Sequence, residues 1–348
     1  MTEIKRDGEG TEEAQEHGEY LGAPHEEVDR PTNIVGSDAS TSLAAAGASD
    51  LALAYETGVE LKARSQWGYA GRRFLRHRLA MAGLVGFLFF CVVGIFAEQI
   101  APYPYDELDF NALRIPPTLE NQHYFGTDLL GRDFFSRVVY GVRTSLWVAL
   151  LITVLTTFIG TTIGAVAGYF GGWVDNALMR FTDLVLTLPG LAVLLVASIY
   201  LGEGDPVRVA LILAALFWTG IARIVRGTFL SLREKEFVEA AKASGAGDAR
   251  IIVRHMLPNA VGPIIVTATL IVAAAILVEA ALSFLGFGIQ PPTPALGVLI
   301  DEGRSEGLKF WWMVTFPGLV IVLIALCINF IGDGLRDALD PTQRRLRD

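Results

Sequence analysis

Residues 256–278 read MLPNAVGPIIVTATLIVAAAILV, twenty-three positions without a charged side chain. At 1.5 Å per residue such a run makes a helix about 35 Å long, enough to cross a hydrocarbon core about 30 Å thick. Working outward, five more uncharged runs appear: residues 79–97, 144–169, 184–201, 209–222 and 310–332. The chain is 52% hydrophobic and only 19% charged, and its apolar residues are gathered into these runs. In lipid every backbone polar group must pair internally, so uncharged runs of this length predict helices. The fold class expected is an all-α integral membrane protein with about six transmembrane helices. The run 209–222 is only fourteen residues long. It needs the flanking Arg208 and Arg223 to snorkel toward the headgroups.

Charge sets an orientation. With an inside N-terminus and six crossings, eighteen Lys and Arg residues from position 62 onward fall on the inside and seven on the outside. That bias predicts that both termini are cytoplasmic. The net charge of −9 comes from one end. Residues 1–60 carry fourteen acids against three bases, and the remainder carries twenty-three acids against twenty-five bases. The first sixty residues have few aromatics and little periodicity, so they read as a disordered acidic tail, either a solvated extension or a docking tail. The polar start argues against a cleaved signal peptide and for the first run as an uncleaved signal. Trp67, Tyr69, Arg72, Arg73, Arg76 and Arg78 precede that run. They suggest a helix in the cytoplasmic interface, within an interfacial segment 61–78. Cys91 and Cys327 both lie in apolar runs and say nothing about disulfides.

The longest internal cytoplasmic loop, residues 223–259, reads as two short helices. Strong helix formers over 237–243 build the first. Gly245 or Gly247 can take the left-handed conformation that ends it. Asp248 can cap the second, and Pro258 suits the first turn of the following span. Two Ala-faced helices around a Gly turn make a compact knob that can enter a groove on a partner and move two spans together.

Glu239-Ala240-Ala241, then Gly245, then Leu257-Pro258 with the proline thirteen residues after the glycine, resembles the "EAA" loop of ABC-importer permeases. In that family the loop docks on the ATPase subunit. His255 stands three residues before the proline, where the broad pattern often has Ile; this variant resembles the peptide-importer branch. Other stretches are similar to the dipeptide/oligopeptide branch: Gly126-Thr127-Asp128 with Gly131-Arg132-Asp133 before the second span, 279–288 followed by Gln290-Pro291-Pro292, and 329–341. The similarity covers residues 72–345. It implies the smaller (type I) importer fold, a homologous second permease, two ATPase subunits, an extracytoplasmic solute-binding protein and alternating access. The cargo it implies is di- and oligopeptides, with nickel chelates, glutathione or another small solute as alternatives.

Further positions carry two readings each. Asp128, Arg132 and Asp133 either cap and pair at a helix start or touch the binding protein. Glu279, an acid near the outer end of a span, is a candidate for translocation or gating, or else reaches the headgroups. Pro189 either kinks the third span functionally or serves packing. Asp333 and Asp337 solvate a helix leaving the membrane. The division expected is a tail 1–60, the interfacial segment, a first span with its outer loop over 79–143, a core permease domain over 144–340, and a C-terminal tail 341–348. The sequence contains no phosphate-binding G-x-x-x-x-G-K-[ST] loop, no H-E-x-x-H and no G-x-S-x-G. No catalytic residue, metal, cofactor or nucleic-acid partner is therefore expected, and ATP hydrolysis falls to separate chains. The rival classes are an intramembrane enzyme, which needs catalytic pairs within the spans, and a signalling partner acting through the tail.

Overall fold

The computed structural model describes residues 66–201, 204–305 and 307–339. The acidic tail 1–60 and the C-terminal tail 341–348 lie outside the described residues. Among the described residues there is no strand, only helices and two isolated bridges.

A short helix α1 (Gln66–Arg76) leads into α2 (Arg78–Ile95), whose first turn is capped by His77 Nδ1 accepting from the Ala80 amide at 3.1 Å. One further turn, α3 (Ala97–Ile100), precedes an irregular segment rich in proline. Helix α4 (Phe134–Phe170) is 37 residues long, about 55 Å at the helical rise. Its first turns, residues 134–142, occupy the end of the stretch expected as an outer loop. Nothing interrupts it there, because Phe134, Val138, Val139 and Val142 are buried and Gly141 packs on the backbone of Ala295 and Leu296.

Helices α5 (Gly172–Thr187) and α6 (Gly190–Leu201) divide the run expected as the third span. Pro189 has no amide hydrogen and disfavours helical backbone at Leu188, which is extended at ψ 130. Conversely, the short run 209–222 lies inside α7 (Pro206–Arg233), a continuous helix of 28 residues. Asp205 caps it, and Pro206 occupies its first turn. Its arginines are paired rather than simply extended: Arg223 with Asp183 at 2.6 Å, and Arg226 with Asp175 at 2.5 and 2.6 Å. The cytoplasmic loop expected from 223 thus begins only after Arg233.

Helix α8 (Glu236–Ala243) and a turn α9 (Asp248–Arg250) follow, then a widened helical turn (Ile251–Met256) that continues into α10 (Leu257–Phe284). After α11 (Leu296–Arg304) the last described helix is α12 (Trp312–Leu339). Helices α2, α4, α7, α12 and the run Asp248–Phe284 are each long and apolar enough to cross a membrane. They also expose large apolar side chains along their lengths, such as Val85 and Phe89 on α2 and Trp147, Leu150, Val154 and Phe158 on α4. Helices apolar on outward faces as well as inward ones belong in lipid or against neighbouring chains.

The tightest pairing is α4 on α7. Gly160, Gly164 and Gly168 form a stripe at four-residue spacing. A Cβ on Gly160 would stand 2.7 Å from the Trp218 carbonyl oxygen, one on Gly164 2.9 Å from Val225 Cβ, and one on Gly168 2.6 Å from Phe229 Cβ. Small residues let the two backbones approach, which is how helices associate where lipid removes the hydrophobic drive. Elsewhere Gly83 and Gly334 bring α2 and α12 together.

Candidate functional site

The loop between α7 and α10 folds as a knob. Helix α8 ends at Ser244 with a Schellman arrangement: Gly245 N–H donates to the Lys242 carbonyl at 2.9 Å and Ala246 N–H to the Ala241 carbonyl at 3.1 Å. Gly245 has φ +76° and open space where a Cβ would stand. Gly247 is extended, at φ −70° and ψ 154°, and occupies the cap position of the second helix. The expected capping by Asp248 does not occur. Its carboxylate is taken by the Tyr169 hydroxyl, which donates to Asp248 Oδ1 at 2.6 Å. The widened turn before α10 follows from Pro258, whose ring would crowd the Arg254 carbonyl in a regular helix. Instead the Leu257 amide reaches five residues back to the Ile252 carbonyl.

The knob is anchored from within. Val238, Ile251 and Met256 are fully buried together with Phe229, Val225 and Ala260. Its outer surface leaves Glu239, Ala240, Gly245 and Pro258 exposed, along with the apolar Phe237 and Val253. Ala241, His255 and Leu257 are half-buried, and the Asn259 amide donates to the His255 carbonyl at 2.7 Å. Among the described residues the Glu239 carboxylate is not paired with Arg233 or Lys242, which both turn to Tyr169.

At the other end of α4 lies a buried ionic cluster. Asp133 caps α4, accepting from the Ser136 amide and hydroxyl at 2.7 Å each, and its other oxygen meets His123 Nδ1 at 3.0 Å. Asp128 Oδ2 accepts from Arg132 Nε at 2.6 Å and from Arg137 at 2.8 Å. Arg137, with no exposed surface, also grips Glu302 of α11 through both terminal nitrogens. Asp128 and Asp133 are buried, and Arg132 keeps partial exposure. Glycines fit this region tightly: Gly126 and Gly131 have φ +76° and +81° and lie against the backbone of Ile115 and Asp109.

Glu279 has no exposed surface on α10, so it does not reach the headgroups. Its Oε1 accepts from the Ser283 hydroxyl at 2.8 Å, and Oε2 has no hydrogen-bond partner. Ser283 in turn accepts from the Ile289 amide at 3.1 Å, tying the chain after α10 back onto the helix. Pro189 lies at the α5–α6 break, away from these groups in sequence. Sequence reasoning singled out the knob residues but missed Tyr169, the Asp175–Arg226 pair, the pairing of Arg137 with Glu302, and the glycine stripe. Of these only the stripe had a local signal, the repeat Gly160-x-x-x-Gly164-x-x-x-Gly168.

Five long apolar helices and a protruding loop between two of them define a multi-pass membrane protein with a surface knob. Residues 160–345 match the model of the binding-protein-dependent transport system inner membrane component, and residues 65–117 match that of the N-terminal transmembrane domain of oligopeptide transport permease C. The chain is 44% identical over 277 residues to the oligopeptide transport system permease protein OppC of Mycobacterium tuberculosis, covering 79% of this chain and 94% of that one. It is 41% identical over 286 residues to OppC of Escherichia coli, with 82% and 94% covered. It is 40% identical over 279 residues to the glutathione transport system permease protein GsiD of Shigella dysenteriae, with 80% and 91% covered. The chain belongs to the binding-protein-dependent ABC-importer permease family and is a transport subunit rather than an enzyme.

Proposed function

We propose that this permease carries di- and oligopeptides delivered by an extracytoplasmic binding protein, and that its knob docks on separate ATPase subunits which alone hydrolyse ATP. The observation that carries the docking assignment is the knob itself. A rigid pair of short helices, internally anchored, presents Glu239, Ala240 and an open Gly245 turn outward while joined directly to two long helices. A second homologous permease and two ATPase subunits complete the assembly. Peptide cargo is supported by the names of the mycobacterial and Escherichia coli relatives; the GsiD relative supports the alternative of glutathione. The binding protein meets the surface at the partly exposed Arg132, while the buried Asp128 and Asp133 cap and pair at the start of α4. Glu279 and the break at Pro189 are the gating elements.

Gly245→Val tests the docking assignment. The replacement forces a β-branched residue to positive φ, costing about 1 kcal/mol or more, and it fills the turn without any clash inside the chain. The variant is expected to insert and to pair with the second permease while ATPase subunits dissociate or solute-stimulated hydrolysis vanishes. Wild-type pull-down and coupled hydrolysis in vesicles would show that the knob is not the docking element. Competition between labelled tripeptides and glutathione for uptake in the same vesicles separates the two cargoes.

A further inference from the structure

Tyr169, one residue from the end of α4, touches both short helices of the knob and the end of α7. Its hydroxyl donates to Asp248 Oδ1 at 2.6 Å, at the start of the second knob helix. Its ring lies under Lys242 of α8, with Nζ 5.7 Å from the ring centre. Its carbonyl accepts from Arg233 at 3.2 Å, the last residue of α7. Tyr169 itself is buried. Gly171, at φ +65°, clears the way for Arg233, since a Cβ there would stand 2.7 Å from the guanidinium. Three separate segments thus converge on one buried residue, two on its side chain and one on its carbonyl.

We infer that Tyr169 is a positioning residue that passes displacement of the docked knob to α4. The inference rests on the docking reading above. The knob's covalent links run to α7 and α10; α4 packs on α7 along its glycine stripe, and Tyr169 is where α4 bonds directly to the knob helices. From Tyr169 the 37-residue α4 runs without a break to Arg137, which grips Glu302 of α11 and Asp128. One rigid helix therefore joins the knob to the ionic cluster at the opposite end. The hydroxyl is the specific part of the handle: a charge-assisted hydrogen bond fixes direction, whereas the ring contact with Lys242 tolerates sliding.

Tyr169→Phe removes only the hydroxyl and keeps ring and carbonyl contacts. In the complete transporter, with both permeases, ATPase subunits and binding protein in vesicles, the variant is expected to bind ATPase subunits with wild-type affinity and to keep basal hydrolysis. The binding-protein-stimulated component of hydrolysis should fall about ten-fold, the scale of one lost hydrogen bond to a charged acceptor. Asp248→Ala should give the same loss, and the double variant no further loss, because both remove one bond. Full stimulation in Tyr169→Phe overturns the inference. So does a fall in ATPase-subunit affinity that accounts for the loss, since Tyr169 would then merely shape the knob. Additive losses in the double variant overturn it too. If even the wild-type chain retains no ATPase subunits, the docking reading fails instead, and that outcome is read before any Tyr169 variant is compared.

Discussion

The three glycines on one face of α4 set how close α7 can come, and they fail differently from glycines elsewhere. At Gly164 an added side chain meets the Ala222 carbonyl and Val225 at once, both fixed in a packed helix. Gly164→Leu is expected to destabilise the purified chain by about 1–3 kcal/mol or to prevent folding, since overpacked sites relax poorly. Gly220 and Gly227 on α7 have nothing within 4 Å. Alanine at either should be tolerated in the isolated chain and favours the helix by up to about 1 kcal/mol. Thermal melts in detergent of the three variants check the contrast, and equal melting temperatures would mean the stripe does not set the packing. Arg137 makes another residue-scale case. Removing it by Arg137→Met leaves the buried Asp128 and the partly buried Glu302 with Arg132 as their one remaining shared cation. A buried pair broken from one side and left uncompensated costs about 3–5 kcal/mol; with Arg132 still in place the loss in thermal melts should fall below that, and Glu302→Gln added to Arg137→Met should recover part of it.

At the scale of elements, the helices were legible where the run of uncharged residues was long. Residues 79–97, 256–278 and 310–332 each fall almost wholly in one continuous helix. Their prolines, Pro258, Pro263 and Pro317, stand within the first two turns, where few amide bonds are lost. The runs 184–201 and 209–222 were harder for opposite reasons. Pro189 lies in the run 184–201, and the structure divides that run outright where a kink was one expectation. The run 209–222 reads as too short because Arg223 and Arg226 follow it closely, yet the helix continues past them to Arg233 once Asp183 and Asp175 on α5 pair with them. Those partners lie 40 and 51 residues away, which no local pattern reveals. The same holds for the knob. Its turn at Gly245 follows from local chemistry, whereas the role of Asp248 depends on Tyr169, 79 residues earlier. The two α5–α7 pairs should differ in strength. Asp175 is nearly buried and bidentate, so Asp175→Ala is expected to cost about 1.5–3 kcal/mol. Asp183 and Arg223 are about half exposed, so Asp183→Ala should cost no more than about 1 kcal/mol. Chemical or thermal unfolding of the two variants side by side checks the order.

On the whole-molecule scale the knob and the ionic cluster stand at opposite ends of α4, one at Tyr169 and the other at Asp133 and Arg137. A helix of about 55 Å exceeds the hydrocarbon thickness by roughly 25 Å, so both of its ends project beyond the lipid. The two ends then face different compartments. The excess of Lys and Arg on the knob side, eighteen against seven under the six-crossing count made from the sequence, predicts that this side is cytoplasmic. That orientation is the one the docking proposal requires, since ATP is cytoplasmic. A functional Cys-less variant with Cys91 and Cys327 replaced provides the background for a direct check. Both native thiols are only partly buried within long apolar helices. Single cysteines at the exposed positions Glu107 and Lys235 are then treated with a membrane-impermeant maleimide. In intact cells Glu107→Cys is expected to label and Lys235→Cys to stay unlabelled, while in inverted vesicles the pattern reverses. Labelling of Lys235→Cys from outside would turn the molecule over and place the knob out of reach of any ATPase, so the docking proposal would fall with the topology.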